Sequence, residues 1–142
     1  MSVPAILAPV FVQVALTFAL VVWLGRTRVA ALRREEVRLS EVALGERAWP
    51  ARVMQVGNAY HNQFETPVLF YAAVAFAMIT RQADLIFVVL AWIFVVLRLV
   101  HAGIHVTSNV VVRRFQAFVA ATLVLVAMWV YFAVKILAAP LG

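Results

Sequence analysis

No cysteine occurs among the 142 residues. That excludes disulfides, a thiolate nucleophile on the protein and Cys-ligated metals, so any thiol chemistry must arrive with a ligand. Charge is scarce too: 13% of residues are Asp, Glu, Lys or Arg, about half the share usual in soluble domains. Acidic residues number six against twelve basic ones, for a formal net charge of +6. The basic excess forms no stripe interleaved with aromatics, so nucleic acid is not an expected partner. Repeats, low-complexity tracts and lipidation motifs are absent from the sequence as well. What fills the chain is apolar, 66% of residues, with a mean hydropathy of +1.01. A water-soluble core of this length cannot hide that much apolar surface. A bilayer can, at about 20 apolar residues for each helical crossing of a ~30 Å hydrocarbon layer.

The pattern predicts one all-α integral membrane domain over 1–142, a four-helix bundle running up-down-up-down. Its helices are expected at about 5–25, 51–79, 84–106 and 110–138, with a charged cytosolic loop at about 26–50. The first span, Ala5 to Leu24, is interrupted by Gln13 and Thr17 alone and is stopped by Arg26 and Arg28. A cleaved secretory leader would carry positive charge before the apolar run and a small-residue cleavage site after it. Neither is present, so this helix is expected to be retained. The loop holds Arg33, Arg34, Glu35, Glu36, Arg38, Glu41, Glu46 and Arg47 and closes on Trp49-Pro50.

Pro50 suits a helix start, and Pro67 is expected to kink the helix that follows. The apolar part of that helix, Val68 to Ile79, is too short to cross. Spanning therefore draws Asn58, His61, Asn62 and Glu65 into the membrane. The third helix has the same build, with Leu85 to Leu97 apolar and Arg98, His101 and His105 following. The fourth has Asn109 as its expected N-cap, an apolar span from Phe115 to Leu137, and Lys135 near enough to the end to snorkel. The loops after the first and third helices hold Arg26, Arg28, Arg33, Arg34, Arg38, Arg47, Arg52, Arg113 and Arg114, against Arg81 and Lys135 on the other side. The positive-inside rule then puts these loops in the cytosol and both termini on the non-cytosolic side.

The second and third helices are joined by a short turn, so residues equally far from it should share a depth. Glu65 pairs in this way with Arg98, Asn62 with His101, and Asn58 with His105. Asn58, Asn62 and Glu65 are spaced i, i+4, i+7, and Arg98, His101 and His105 are spaced i, i+3, i+7, so each set forms one stripe. An unpaired Arg or Glu at this depth costs several kcal/mol by most estimates, which predicts a Glu65–Arg98 pair. Such a pair can serve packing register alone; with two Asn and three His beside it, a functional site is expected. A rival chemistry uses His61, Glu65, His101 and His105 as i, i+4 pairs around a zinc or iron ion. The permanent charge of Arg98 at the depth of Glu65 opposes it.

The stretch Asn58-Ala-Tyr-His-Asn62-Gln-Phe-Glu65-Thr-Pro67-Val-Leu-Phe-Tyr71, followed by Arg98-x-x-His101-x-x-x-His105-x-x-x-Asn109-x-x-x-Arg113, resembles the MAPEG family, the membrane-associated proteins in eicosanoid and glutathione metabolism, and looks closest to its bacterial members. The likeness spans essentially the whole chain, and together with the positive-inside orientation it points to a cell inner membrane. It implies a homotrimer with glutathione as co-substrate, bound between adjacent subunits near the cytosolic face. Enzymatic members conjugate glutathione to lipophilic electrophiles or reduce lipid hydroperoxides; other members bind lipids without catalysis. By position, Asn62 and Glu65 would contact the peptide, Arg98 would order the pocket or bind a carboxylate, and Arg26 and Arg28 would meet glutathione carboxylates. Asn58 and His101 stand in the same stripes. Many glutathione-using members have an Arg where this chain has Asn58 and a Tyr where it has His105. His105 can still donate to a thiolate, and Arg113 or, equally, Arg114 would favour that thiolate electrostatically. The expected function is thus a membrane-bound glutathione-dependent transferase or peroxidase acting on lipophilic small molecules. A non-catalytic lipid- or small-ligand-binding scaffold is the alternative, and the histidine metal site comes third.

Overall fold

A computed structural model describes residues 1–43 and 48–138; Glu46 and Arg47 of the expected cytosolic loop lie outside them. The described residues are all-α, with no strand. Helix α1 spans Val3–Arg33 and so runs eight residues past its expected end at Gly25. The charged stretch after Leu24 contains no proline, and Ala30, Ala31 and Leu32 are strong helix formers that outweigh Gly25. Termination comes at Glu35, whose φ of 55° lets Glu36 N–H reach back to Ala31 O at 3.1 Å, a left-handed C-terminal closure. The last turns of α1 are packed rather than free: Leu24, Ala31 and Val37 form a cluster with Val53 and Val56. A Cβ on Gly57 would lie 3.6 Å from Leu24 Cδ1, so the Leu24 side chain packs against the Gly57 backbone at that level.

After a single turn, α2 (Leu39–Val42), the chain enters α3 (Ala51–His61). The expected 51–79 helix is not continuous. Asn62–Phe64 tighten into a 3-10 turn, Glu65 adopts φ −95°, ψ −109°, and α4 (Thr66–Ile79) starts anew. Pro67 accounts for this, because its ring clashes with the carbonyl four residues earlier and it has no N–H to donate. The expected kink has become a break. Among the described residues three helices remain long and apolar enough to cross a membrane: α1, α5 (Leu85–Val106) and α6 (Val111–Leu137).

Helix α5 packs along α6, and α1 lies against α3, α4 and α5. In lipid no hydrophobic force drives helices together, so close packing and satisfied polar groups must do it. Ala73, Ala77, Ala91 and Ala121 are buried and let the backbones approach, while Phe70 stacks on Phe94 at 4.7 Å between α4 and α5. At one end Asp84 caps α5 by accepting from Phe87 N–H at 3.0 Å. Its other oxygen accepts from Lys135 Nζ at 2.8 Å and from the Tyr131 hydroxyl. Lys135, expected to snorkel, is tied down by this bond and by a second to Gln82 O at 3.1 Å. Burial alone would raise the Asp84 pKa; the bonds from Lys135, Tyr131 and Phe87 outweigh it and hold the carboxyl at about 2. At the other end, α6 is preceded by Val110 and not by Asn109 as its N-cap residue.

Candidate functional site

The break between α3 and α4 is what presents polar side chains to the middle of the molecule. A 3-10 turn advances by a third of a turn per residue, so Asn62, Gln63 and Phe64 point three ways. Gln63 points inward, accepting from Gln13 Nε2 at 2.9 Å and donating to Ala59 O at 2.9 Å, and both glutamines are buried. Asn62 turns toward α5. Its carbonyl and its Oδ1 accept from Arg98 Nη2 at 3.0 and 2.7 Å, and its Nδ2 donates to Glu65 Oε2 at 2.6 Å.

The expected Glu65–Arg98 pair is therefore not made directly. Asn62 stands between them as an amide relay, and Glu65 is exposed. A continuous helix would have kept Glu65 on the stripe at the depth of Arg98; the 3-10 turn and the non-helical Glu65 re-aim it. Arg98 is 0% exposed, yet its Nε and Nη1 have no partner, and neither does Nδ1 of His101 or of His105, both buried. The two imidazoles stand edge to face at 5.7 Å. Buried polar groups are nearly always satisfied, so four unpaired atoms on three residues of one α5 stripe mark a region that invites polar partners.

A groove of about 250 Å³ opens beside the two imidazoles. It is lined by Asn62, Glu65, His101, His105 and Arg114, with Val111, Phe115 and Phe118 as its apolar wall. Four expected site residues thus converge, and Arg98 backs them by holding Asn62. Others do not join them. Asn58 is exposed on α3 and does not line the groove, and Arg113 faces away from it. Of the two arginines at the start of α6, left open by the sequence, Arg114 lines the groove and Arg113 does not. Adjacent helical positions differ by about 100°, so a single facing decides between them. Arg28 lies over the Trp49 ring at 5.2 Å, whereas Arg26 projects from the opposite, exposed face of α1 beside Val22, Val29 and Arg33. Among the described residues no group of three or more His, Asp or Glu is placed to hold a metal ion.

Several contributors carried little signal in the sequence. Arg52 donates to Val106 O, and Gln55 Nε2 donates to His105 O at 2.7 Å and to Thr107 O at 3.2 Å. These groups satisfy the free carbonyls at the end of α5 and fix the depth of His105. Their i, i+3 spacing on the first turn of α3 was the available hint. A second groove, about 300 Å³, lies between α1 and the break, mostly apolar through Val14, Phe18, Val21 and Val68, with Thr17, Gln63 and Tyr71 at its polar edge.

Chemically, the first groove offers one permanent cation, two imidazoles, an amide and a carboxylate beside an apolar wall. That set suits a small zwitterionic or anionic ligand with an apolar companion. A family model described as the MAPEG family matches residues 6–134. No curated protein and no solved structure gives a match.

Proposed function

The chain belongs to the MAPEG family, and from that premise we propose that it is a membrane-bound glutathione-dependent transferase or peroxidase acting on lipophilic substrates. The observation that carries this reading is the convergence of Asn62, Glu65, His101, His105 and Arg114 on one groove. Glu65 receives the peptide's amino group and Asn62 its backbone, with Arg98 holding Asn62 in place. A thiol of pKa near 8.5 is mostly protonated at neutral pH, and the Arg114 guanidinium, with the N-terminal dipole of α6, favours the thiolate. His105 donates to the sulfur. In conjugation the thiolate forms a C–S bond to an electrophilic carbon, and the leaving group or opened ring takes up a proton. In peroxide reduction two glutathiones become one disulfide while the hydroperoxide yields an alcohol and water.

The same reading includes a homotrimer of four-crossing subunits in a cell inner membrane, with α3 and α4 together as the second crossing and termini on the non-cytosolic side. Assembly supplies a use for Arg26, exposed on α1 away from its own subunit's groove. Glutathione bound between subunits would meet the Arg26 of a neighbour. Calorimetric titration of glutathione into the detergent-purified protein tests the site. Saturable binding, weakened by Arg98→Ala and by Asn62→Ala, is expected; absence of binding to the folded protein would overturn it. The second groove, with its hydroxyl-edged apolar lining, favours one other reading, a lipid-binding scaffold without turnover. Lipid retained through purification, with no glutathione binding, would select that reading.

A further inference from the structure

Asn109 makes three separate contributions. Its backbone lies in the left-handed region with φ 49°, its N–H donates to Ile104 O at 2.8 Å and closes the end of α5, and its Oδ1 accepts from Arg114 Nη1 at 2.6 Å. Few side chains allow all of this. Left-handed backbone is costly for L-residues other than Gly, Asn and Asp, and of these Gly has no acceptor. The residue expected to cap α6 instead spends its side chain on an arginine one turn further on. Asn109 does not line the groove and so acts through Arg114.

We infer that Asn109 is a positioning residue that holds the Arg114 guanidinium over the groove before any ligand arrives. An arginine side chain left untethered samples many rotamers and must be ordered when ligand binds. With the bond to Asn109 in place, that ordering is complete in the free protein, and the arriving thiol meets a cation already set. The same residue closes α5, so the guanidinium is indexed to the helix that carries His101 and His105. The inference rests on Arg114 being the thiol-side cation, and its test separates the two ideas.

The test compares the parent protein with Asn109→Gly, which keeps the left-handed backbone and loses the acceptor, and Asn109→Asp, which keeps both. Arginine side-chain nitrogen spectra of the ligand-free protein, with Arg114 assigned from an Arg114→Lys sample, read the tether directly. Restricted, resolved Arg114 signals are expected in the parent and in Asn109→Asp and averaged ones in Asn109→Gly. The unfolding midpoint of Asn109→Gly should stay within about 3 °C of the parent, since Gly substitutes well at such a position. Its glutathione affinity should fall about tenfold, as for one lost hydrogen bond to a charged group, and Asn109→Asp should restore it. Unchanged Arg114 signals in Asn109→Gly overturn the inference whatever glutathione does. Averaged signals with unchanged affinity overturn it too, by making the tether merely structural. Should the parent show the tether but bind no glutathione, the positioning stands and the proposed function falls.

Discussion

Two polar clusters occupy opposite ends of the same helices, and they differ in whether their bonds are complete. Around Asp84 both carboxylate oxygens are used, by Phe87 N–H on one side and by Lys135 and Tyr131 on the other. Around Arg98 the bonding stops short: Nε, Nη1 and the Nδ1 atoms of His101 and His105 are buried and unpaired. A closed cluster of this kind fastens helices. An open one, kept at a cost of about 1–3 kcal/mol for each unsatisfied group, calls for another use.

The comparison can be broken most severely at Asn62. Asn62→Ala strips the side-chain acceptor from a fully buried guanidinium and should cost about 2–4 kcal/mol, read as a lowered unfolding midpoint in detergent. Arg98→Met, which removes the charge together with its need, should cost less than Asn62→Ala; the reverse order would show that Arg98 is not stabilised through the amide. Next comes the choice between neighbours on α6. Arg114→Ala should weaken glutathione binding about tenfold or more while Arg113→Ala leaves it alone, and equal effects would dissolve the facing argument. At the fastened end, Lys135→Met should leave glutathione binding unchanged and lower stability by about 1 kcal/mol or less, because the pair is partly exposed. The pH response is the smallest effect. Asp84 has a folded pKa of about 2 against 3.8 for the free group, so its stabilisation is present above pH ~4 and is lost as pH falls from ~4 toward ~2. Lys135→Met should flatten that loss in an acid unfolding series.

Much of this was legible in the residues. Composition and apolar run length gave the membrane class and the spans of α5 and α6, and the spacing of Asn62 and Glu65 against His101 and His105 pointed to four side chains that line one groove. What escaped was set by local geometry without a periodic trace. Pro67 announced a disturbance, but not that three residues would tighten into a 3-10 turn and place Asn62 where Glu65 was expected. Arg113 and Arg114 are chemically identical neighbours, and the rotation of α6 against α5, which puts Arg114 and not Arg113 on the groove, leaves no trace in the sequence. Gln13 looked like a blemish in an apolar run because its partner, Gln63, lies fifty residues away in a turn that periodicity does not forecast.

The meeting of Leu24 with Gly57 works as a depth gauge. Ala5 to Leu24 is 20 residues, about 30 Å of helix, which matches the hydrocarbon thickness and sets the headgroup boundary near Gly25. Gly57 packs at that level, and Asn62 lies five residues further on, just past the end of α3, roughly 8 Å beneath it. Under the proposed function, a water-soluble peptide would descend only about a turn and a half from that boundary to reach Asn62, while a lipophilic substrate dissolved among acyl chains would already lie at its height. The groove would then sit where two solvents that do not mix can each deliver one reactant.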